Sequence, residues 1–596
     1  MPRLSEHIPH LGEKYGVLAE SNTHQLKVIA NNTDIAVGDM FLLPCQRGPD
    51  RFYIFRTTEY ANILNRSLEM NDIARNKLTM PDSYLAEDLS DEKLIELTGM
   101  VLGYAQWSEP DQWTFHRPRR LPQHLSDVYH VEPSNPSVCA VILELMQSQL
   151  GTEGLYVGDL LAGEQALSGV PVYLPISALS HHIGVFGRTG CGKSNLMMVL
   201  LRSIMKHNHA VRSGTTKGPP ASILAIDPHD EFRTWHATSG GADGIRGIVN
   251  SYDPLERDQL VAPFYYLTAR NVEQGMPERR LQLSRADLTP SDLFSVMEFS
   301  EQQTAFANQF YAIHGERWIS HLLMGDTGSE NDDTPDFLPG TISAVQRRLS
   351  GLQFGNTRVF TRFDAEAGIE YDSLLPDIIC SLEQGRLLVV DTTLMTELEQ
   401  FLVTTVVART LFAIRKALRT AESADLLADA IRLSVGNDDV NNQIGMRSLA
   451  NQLCKRLSQG DLPYITEGSI RSIEDLPRVN VVVEEAPSIL NPARMKFGSV
   501  FRDISRQGRK FGIGMTVVSQ QVSEIDSGIL TQINSELNMS LGNDVERREA
   551  IRNASVDLLG FEQEMKVLSR GQVIVSASYK DVPLPVQVPA FDGLEN

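Results

Sequence analysis

Nowhere in this 596-residue sequence does an uninterrupted apolar run approach the roughly 18 residues needed to cross a bilayer. The polar start Met1-Pro2-Arg3-Leu4-Ser5-Glu6-His7 has no apolar segment behind it that could direct secretion, so the expected compartment is the cytosol, with no membrane partner. Cysteine is scarce. Cys45, Cys139, Cys191, Cys380 and Cys454 are scattered, odd in number and never spaced as C-x-x-C, which excludes a disulfide framework and a zinc site. Positive charge is also short: 54 Lys and Arg face 75 Asp and Glu, a net charge of −21. A protein living by non-specific phosphate contacts would be basic, so any contact with nucleic acid must be confined to a local surface such as the lining of a ring. No internal repeat occurs, and no Ser/His/Asp arrangement has a recognisable spacing.

What remains is a globular composition, 42% apolar and 22% charged, in a chain too long for one hydrophobic core. Its organising stretch is Gly187-Arg188-Thr189-Gly190-Cys191-Gly192-Lys193-Ser194, which fits G-x-x-x-x-G-K-[ST]. Ile183 to Phe186 read as a buried strand before it, and Asn195 to Leu201 as a helix after it. In that context the glycines turn backbone N–H groups around phosphate oxygens, and the helix N-terminus adds a favourable dipole. Lys193 can then reach the β- and γ-phosphates, and the Ser194 hydroxyl can ligate Mg²⁺. The chain is expected to bind a nucleoside triphosphate, ATP, with Gly187 through Asn195 as the binding segment.

Residues from about 16 to 60 carry strand-length apolar segments between Gly, Asn, Asp and Pro punctuation. These are Gln25–Ile29, Asp39–Leu43 and Arg51–Phe55, with turns at Asn31-Asn32 and Arg47–Asp50. A small barrel or sandwich is expected there. A charged helical stretch around Ser90 to Leu97 interrupts it before strand-like Met100–Tyr104 and Val170–Leu174. Beyond the phosphate loop, Ser222–Ile226 is a second apolar strand ending in Asp227-Pro228-His229-Asp230-Glu231-Phe232, carboxylates where parallel sheets bind ligands. Leu387–Asp391 is a further strand, and Glu397 to Ala417 a long apolar-periodic helix. Helical insertions are expected at about 287–362, with an acidic patch at Ser329–Asp333, and at 421–478.

The strand Val479–Val483 ends in Glu484-Glu485, as a second nucleotide motif requires. One carboxylate supports the Mg²⁺ shell and the other polarises the attacking water. Such strands mostly end in Asp then Glu, so Glu484 is expected to act on the metal through a water, with Glu485 as the base. Phe497 to Lys510 reads as a helix carrying Arg502, Arg506, Arg509 and Lys510, followed by the strand Gly512–Gln521 with an amide at its end. That strand should lie beside the Glu484-Glu485 strand, with Gln520 or Gln521 sensing the γ-phosphate or orienting water. Gln572–Val575 and Val582–Val586 read as a closing hairpin.

The run from His182 to Asn195 resembles the phosphate loop of the HerA branch of the HerA–FtsK ATPases. Ile226–Phe232, Val483-Glu484-Glu485-Ala486 and Ser505–Gly512 continuing into Val518–Gln521 resemble the later motifs of that family, in its order. Two positions depart: Asp230 stands where the family usually has Gly, and Pro487 where a His commonly follows Glu-Glu-Ala. The resemblance covers most of the chain from about residue 165. It implies an α/β fold, a RecA-like P-loop core over 166–596 with helical insertions, after a small N-terminal β-barrel over 1–165. It also implies a homohexamer, an ATP-driven translocase or helicase with double-stranded DNA in its pore. Gln520 is then the sensor, and Arg506 or Arg509 a finger acting on the neighbouring subunit's nucleotide. Family members work with a nuclease in DNA end processing or, in many bacteria, with an effector in phage defence, including sirtuin-like enzymes; docking is expected on the N-terminal domain. Two other readings stay open: a hexameric scaffold that uses ATP as a switch for an effector, and a coupling ATPase of a secretion or conjugation machine, against which the missing membrane segments count.

Overall fold

The computed structural model describes residues 4–22, 25–31, 34–45, 50–63, 94–108, 112–232, 264–272, 278–294, 296–324, 337–350, 357, 359–363, 368–436, 447–495 and 499–591. Two compact units emerge. One comprises Met1–Pro175, Gly187–Val199 and Ser535–Leu594; the other comprises Ile176–Phe186, Leu200–Asn534 and Glu595–Asn596. No helix among the described residues is long and apolar enough to cross a membrane.

In the first unit, six antiparallel strands close into a barrel: Gln25–Ala30, Lys14–Ser21, Asp127–His130, Met40–Cys45, Arg51–Ile63 and Leu94–Ser108, the last pairing back to the first. Alternation builds its core. Leu26 and Val28 point inward from one strand, Phe41 and Leu43 from another, and Phe41 stacks on Phe55 with centroids 5.0 Å apart. Leu94 to Leu97 were expected in a charged helix and instead open a strand. Ile95 and Leu97 turn into the barrel while Leu94 is exposed and Glu96 only half-buried, so a period of two prevails over the local charge. Residues 90–93, the turn residue Asn32, residues 47–49 and the acidic patch 329–333 lie outside the described residues. Arg56, in the barrel wall, is buried. Its guanidinium donates to the Leu161 carbonyl at 2.6 Å and pairs with Glu564 at 2.6 Å. The expected hairpin forms from Gln572–Ala577 and Leu584–Gln587, and continues antiparallel into Leu155–Ala162 and Gln165–Leu174.

The second unit is built on seven parallel strands, in the order Glu278–Arg280, Phe264–Thr268, Leu387–Asp391, Ala221–Asp227, Arg478–Val483, Ile513–Ser519 and His182–Phe186. The central strands are apolar on both faces, as a sheet covered by helices requires. The Ile513–Ser519 strand lies beside the Arg478–Val483 strand, as expected, and separates it from the strand that leads into the phosphate loop. This is the RecA-like arrangement. The helix Glu397–Thr420 opens on a reciprocal capping box between Thr396 and Glu399 and buries most of its length. The first insertion packs around the fully buried Trp318, whose indole N–H donates to the Leu288 carbonyl at 2.9 Å. The helix expected over 497–510 spans only Val500–Gln507 and tightens into a 3₁₀ turn, Gly508–Phe511. There a Cβ on Gly508 would stand 2.4 Å from the Ile513 carbonyl oxygen, so the chain can pass only as glycine. Phe497 is outside the described residues.

Arg415, on the long helix, is wholly buried with Glu383 at 2.7 Å. It also donates to the carbonyls of Pro477, at 2.9 Å, and Phe511, at 3.5 Å. Those carbonyls precede the strands that carry Glu484-Glu485 and Gln520, so one guanidinium ties the entry to both. Arg415→Met should therefore destabilise the protein by about 3–5 kcal/mol, because a buried carboxylate loses its partner. Adding Glu383→Leu should recover much of that loss, and urea unfolding of the single and double variants measures both.

Candidate nucleotide site

The phosphate loop in the first unit is shaped by glycine where no other residue fits. Gly190 has φ +75° and Gly192 φ +109°, the left-handed region that side chains avoid. A Cβ on Gly187 would meet Cys191 Sγ at 2.6 Å and Met539 Cβ at 2.9 Å. The loop is held from outside. Arg188 N–H donates to the Ser540 carbonyl and Gly571 N–H to the Cys191 carbonyl, both at 2.9 Å. Asn195 Nδ2 donates to Pro589 at 2.9 Å and its Oδ1 accepts from the Phe591 N–H at 2.9 Å. Burial pushes the Cys191 thiol pKa up and keeps it neutral. Arg188, Thr189 and Gly190 stand exposed at the tip. Lys193 folds over the loop, its Nζ 2.8 Å from the Gly187 carbonyl and 3.2 Å from that of Arg188, and Ser194 is the second residue of the helix Lys193–Arg212. A magnesium ion on a nucleotide takes most of its ligands from phosphate and water, so one hydroxyl and a carboxylate suit it without a protein cage.

In the second unit, the carboxyl ends of neighbouring strands lie level. Ile226 pairs with Val483 and Val483 with Val517. Phe186, the last residue before the phosphate loop, pairs with Ser519, the last before Gln520. Glu484 is buried and Glu485 is half-exposed with φ +46°, a strained conformation for a non-glycine residue. Gln520 Nε2 donates to Glu485 Oε1 at 3.0 Å, so the two residues singled out from separate motifs are in direct contact. Arg506 and Arg509 are both exposed. They precede the Ile513–Ser519 strand whereas Gln520 follows it, so a seven-residue strand rising about 3.3 Å per residue stands between them and Glu485. The two arginines thus lie toward the opposite end of that strand from Gln520.

The carboxylates read after the second strand also gather here, joined by Tyr266 and Arg270, which were not singled out from sequence. Asp227 accepts backbone N–H groups of His229 and Glu231, each at 3.2 Å, and of Phe232 at 3.0 Å; burial raises its pKa to about 6 against those bonds. Asp230, at φ +58°, accepts from the Tyr266 hydroxyl and from Arg270 at 2.8 Å, and Arg270 also reaches Asp391 at 3.4 Å. Glycine at 230 would supply the same backbone without that anchorage. The one advance sign was the cluster of carboxylates at the ends of apolar strands.

Residues 155–411 match the model of the family described as helicase HerA, central domain. Over that stretch the chain is similar to the HerA central domain. It is 23% identical over 452 residues to the probable DNA double-strand break repair helicase HerA of Methanocaldococcus jannaschii, covering 75% of this chain and 78% of that one. To the DNA double-strand break repair helicase HerA of Sulfurisphaera tokodaii it is 20% identical over 467 residues, 78% of this chain and 75% of the other. Among solved structures, the plasmid coupling protein TrwB in complex with ADP and Mg²⁺ superposes with a TM-score of 0.40 at 12% identity, over 75% of this chain and 92% of that one.

Lys193→Ala removes a half-buried loop cation and opens no core. Its unfolding midpoint without nucleotide should match the parent's. At 100 times the parent's Kd, ATP should stabilise the parent by about 2.7 kcal/mol and leave the variant unmoved. Differential scanning calorimetry with and without the nucleotide makes the measurement.

Proposed function

We propose that this chain is an ATP-hydrolysing DNA translocase or helicase of the HerA type, working as a homohexamer with double-stranded DNA through its pore. The observation that carries the reading is the Gln520–Glu485 hydrogen bond at the end of a set of parallel strands, one of which runs into an intact phosphate loop. Glu485 takes the proton of the attacking water, and Gln520 aims that carboxylate and senses the γ-phosphate. Lys193 binds the phosphates, and Mg²⁺ held through Ser194 and Glu484 would neutralise charge on them. Arg506 or Arg509 serves the neighbouring subunit, a role supported by their exposure and distance from their own Glu485.

The barrel is proposed to dock an effector, a nuclease or a sirtuin-like enzyme, in DNA end processing or phage defence. Support comes from the exposed segment between His116 and Asp127. There Leu121 and Leu125 are 50% and 78% exposed beside exposed Arg119 and Arg120, a surface suited to an acidic partner with apolar recesses.

The net charge of −21 favours a second reading, a scaffold in which ATP switches an effector assembly and DNA is not moved. Steady-state ATP turnover of the isolated protein separates the two. Stimulation by double-stranded DNA is expected of the motor; turnover that needs the effector and ignores DNA would leave the scaffold.

Shared sites have their own test. Neither Lys193→Ala nor Arg506→Ala rings (nor Arg509→Ala) should hydrolyse ATP. Mixed rings contain sites with a good loop from one chain and a good arginine from the next. A guanidinium supplied in trans can be worth about 10³–10⁵ in rate, so activity should reappear at intermediate ratios. If mixing is demonstrated and no ratio restores turnover, the arginine is not a finger.

A further inference from the structure

His229 lies in the loop that follows the Ala221–Asp227 strand, on one side of the Glu484-Glu485 strand; Gln520 follows the strand on the other side. Its neighbours in the loop are immobilised. Three backbone N–H groups close onto Asp227, Phe232 is fully buried, and Asp230 is tied to Tyr266 and Arg270. The imidazole is left more than half exposed, with Nε2 3.9 Å from Glu485 Oε1. That is the oxygen to which Gln520 donates at 3.0 Å. Glu485 and Asp230 both hold left-handed backbone conformations, and the Glu485 carboxylate stands between His229 and Gln520.

We propose that His229 is a positioning residue for Glu485, gripping the carboxylate from the side opposite Gln520. The inference rests on Glu485 being the base. The two grips are not equivalent. Gln520 stands level with the end of the strand that enters the phosphate loop, so it is the one to turn when nucleotide arrives. His229 is braced by buried groups of the neighbouring strands and keeps the carboxylate aimed when the amide lets go. Closing from 3.9 Å to hydrogen-bond distance takes a small rotation of either side chain. Among the described residues the charged groups acting on His229 are acidic: Glu485 contributes most to raising its pKa, with Glu231 and Asp227 adding to it, against desolvation that lowers it. The imidazolium therefore persists to higher pH than in an ordinary histidine. Its contribution to positioning is present below that raised pKa and lost as pH rises through it.

The test is ATP turnover by full-length His229→Ala, His229→Gln and Glu485→Gln proteins across pH, with kcat and KM separated. His229→Ala should lower kcat by about 10–100-fold, the scale of a misaimed catalytic group, with KM for ATP unchanged. His229→Gln keeps a donor but cannot titrate. It should recover part of kcat and lose the alkaline decline that the parent shows as its imidazolium deprotonates. Glu485→Gln should bind ATP and not turn it over. Parental kcat in His229→Ala beside an inactive Glu485→Gln would overturn the positioning role and leave the base intact. An alkaline decline unchanged in His229→Gln would overturn it too. Normal turnover by Glu485→Gln would remove the base itself. Should His229→Ala fail to fold, His229→Gln alone decides through the pH profile.

Discussion

A single buried amide fixes the geometry on which the candidate site depends. Asn480 is wholly buried in the middle of the Arg478–Val483 strand. Its Nδ2 donates to the Leu179 carbonyl at 2.9 Å, and its Oδ1 accepts from Thr516 at 2.7 Å on the adjacent strand. Leaving such a group unpaired costs about 1–3 kcal/mol, so the strands are locked in one register. Gly514 lies opposite, and a Cβ there would sit 2.1 Å from the Leu179 oxygen and 2.2 Å from that of His181. A slip of one residue would break the amide pair, drive a side chain into those carbonyls and part Glu485 from Gln520. The contact between Gln520 and Glu485 thus depends on polar chemistry several residues upstream.

Contiguity explains what could be read in advance. The phosphate loop, its strand and its helix are consecutive in the chain, and glycine at 190 and 192 is dictated by local backbone geometry. The carboxylate strand and the amide strand were legible because each is a short β-branched run bounded by a distinctive end, and parallel pairing then placed Glu485 near Gln520. The barrel was legible from its alternation, except where charged residues obscured the inward-facing Ile95 and Leu97. The contact between His229 and Glu485 could not be read, since it depends on two left-handed residues and on the register of strands more than 250 positions apart. Asp230 was visible as a strand-end carboxylate and as a departure from a glycine; its bonds to Tyr266 and Arg270 give it a structural purpose.

Charge is similarly local. An acidic chain keeps two arginines exposed at the far end of a strand from its own carboxylates, and two more beside exposed leucines on the barrel. Other arginines serve different ends. Arg415 neutralises Glu383 and closes the entry to two strands, whereas Arg270, only partly buried, joins the loop carboxylate Asp230 to the strand-end Asp391. Sequence position alone does not tell these uses apart, because guanidinium groups act through whatever carbonyls or carboxylates the fold brings within reach.

The buried pair between Arg56 and Glu564 joins residues 508 positions apart, with Gly38 packed so closely that a Cβ there would stand 2.9 Å from Arg56 Nη2. Replacing either partner alone would strand a charge in the interior, so the barrel wall and a segment 508 positions downstream constrain one another's substitutions.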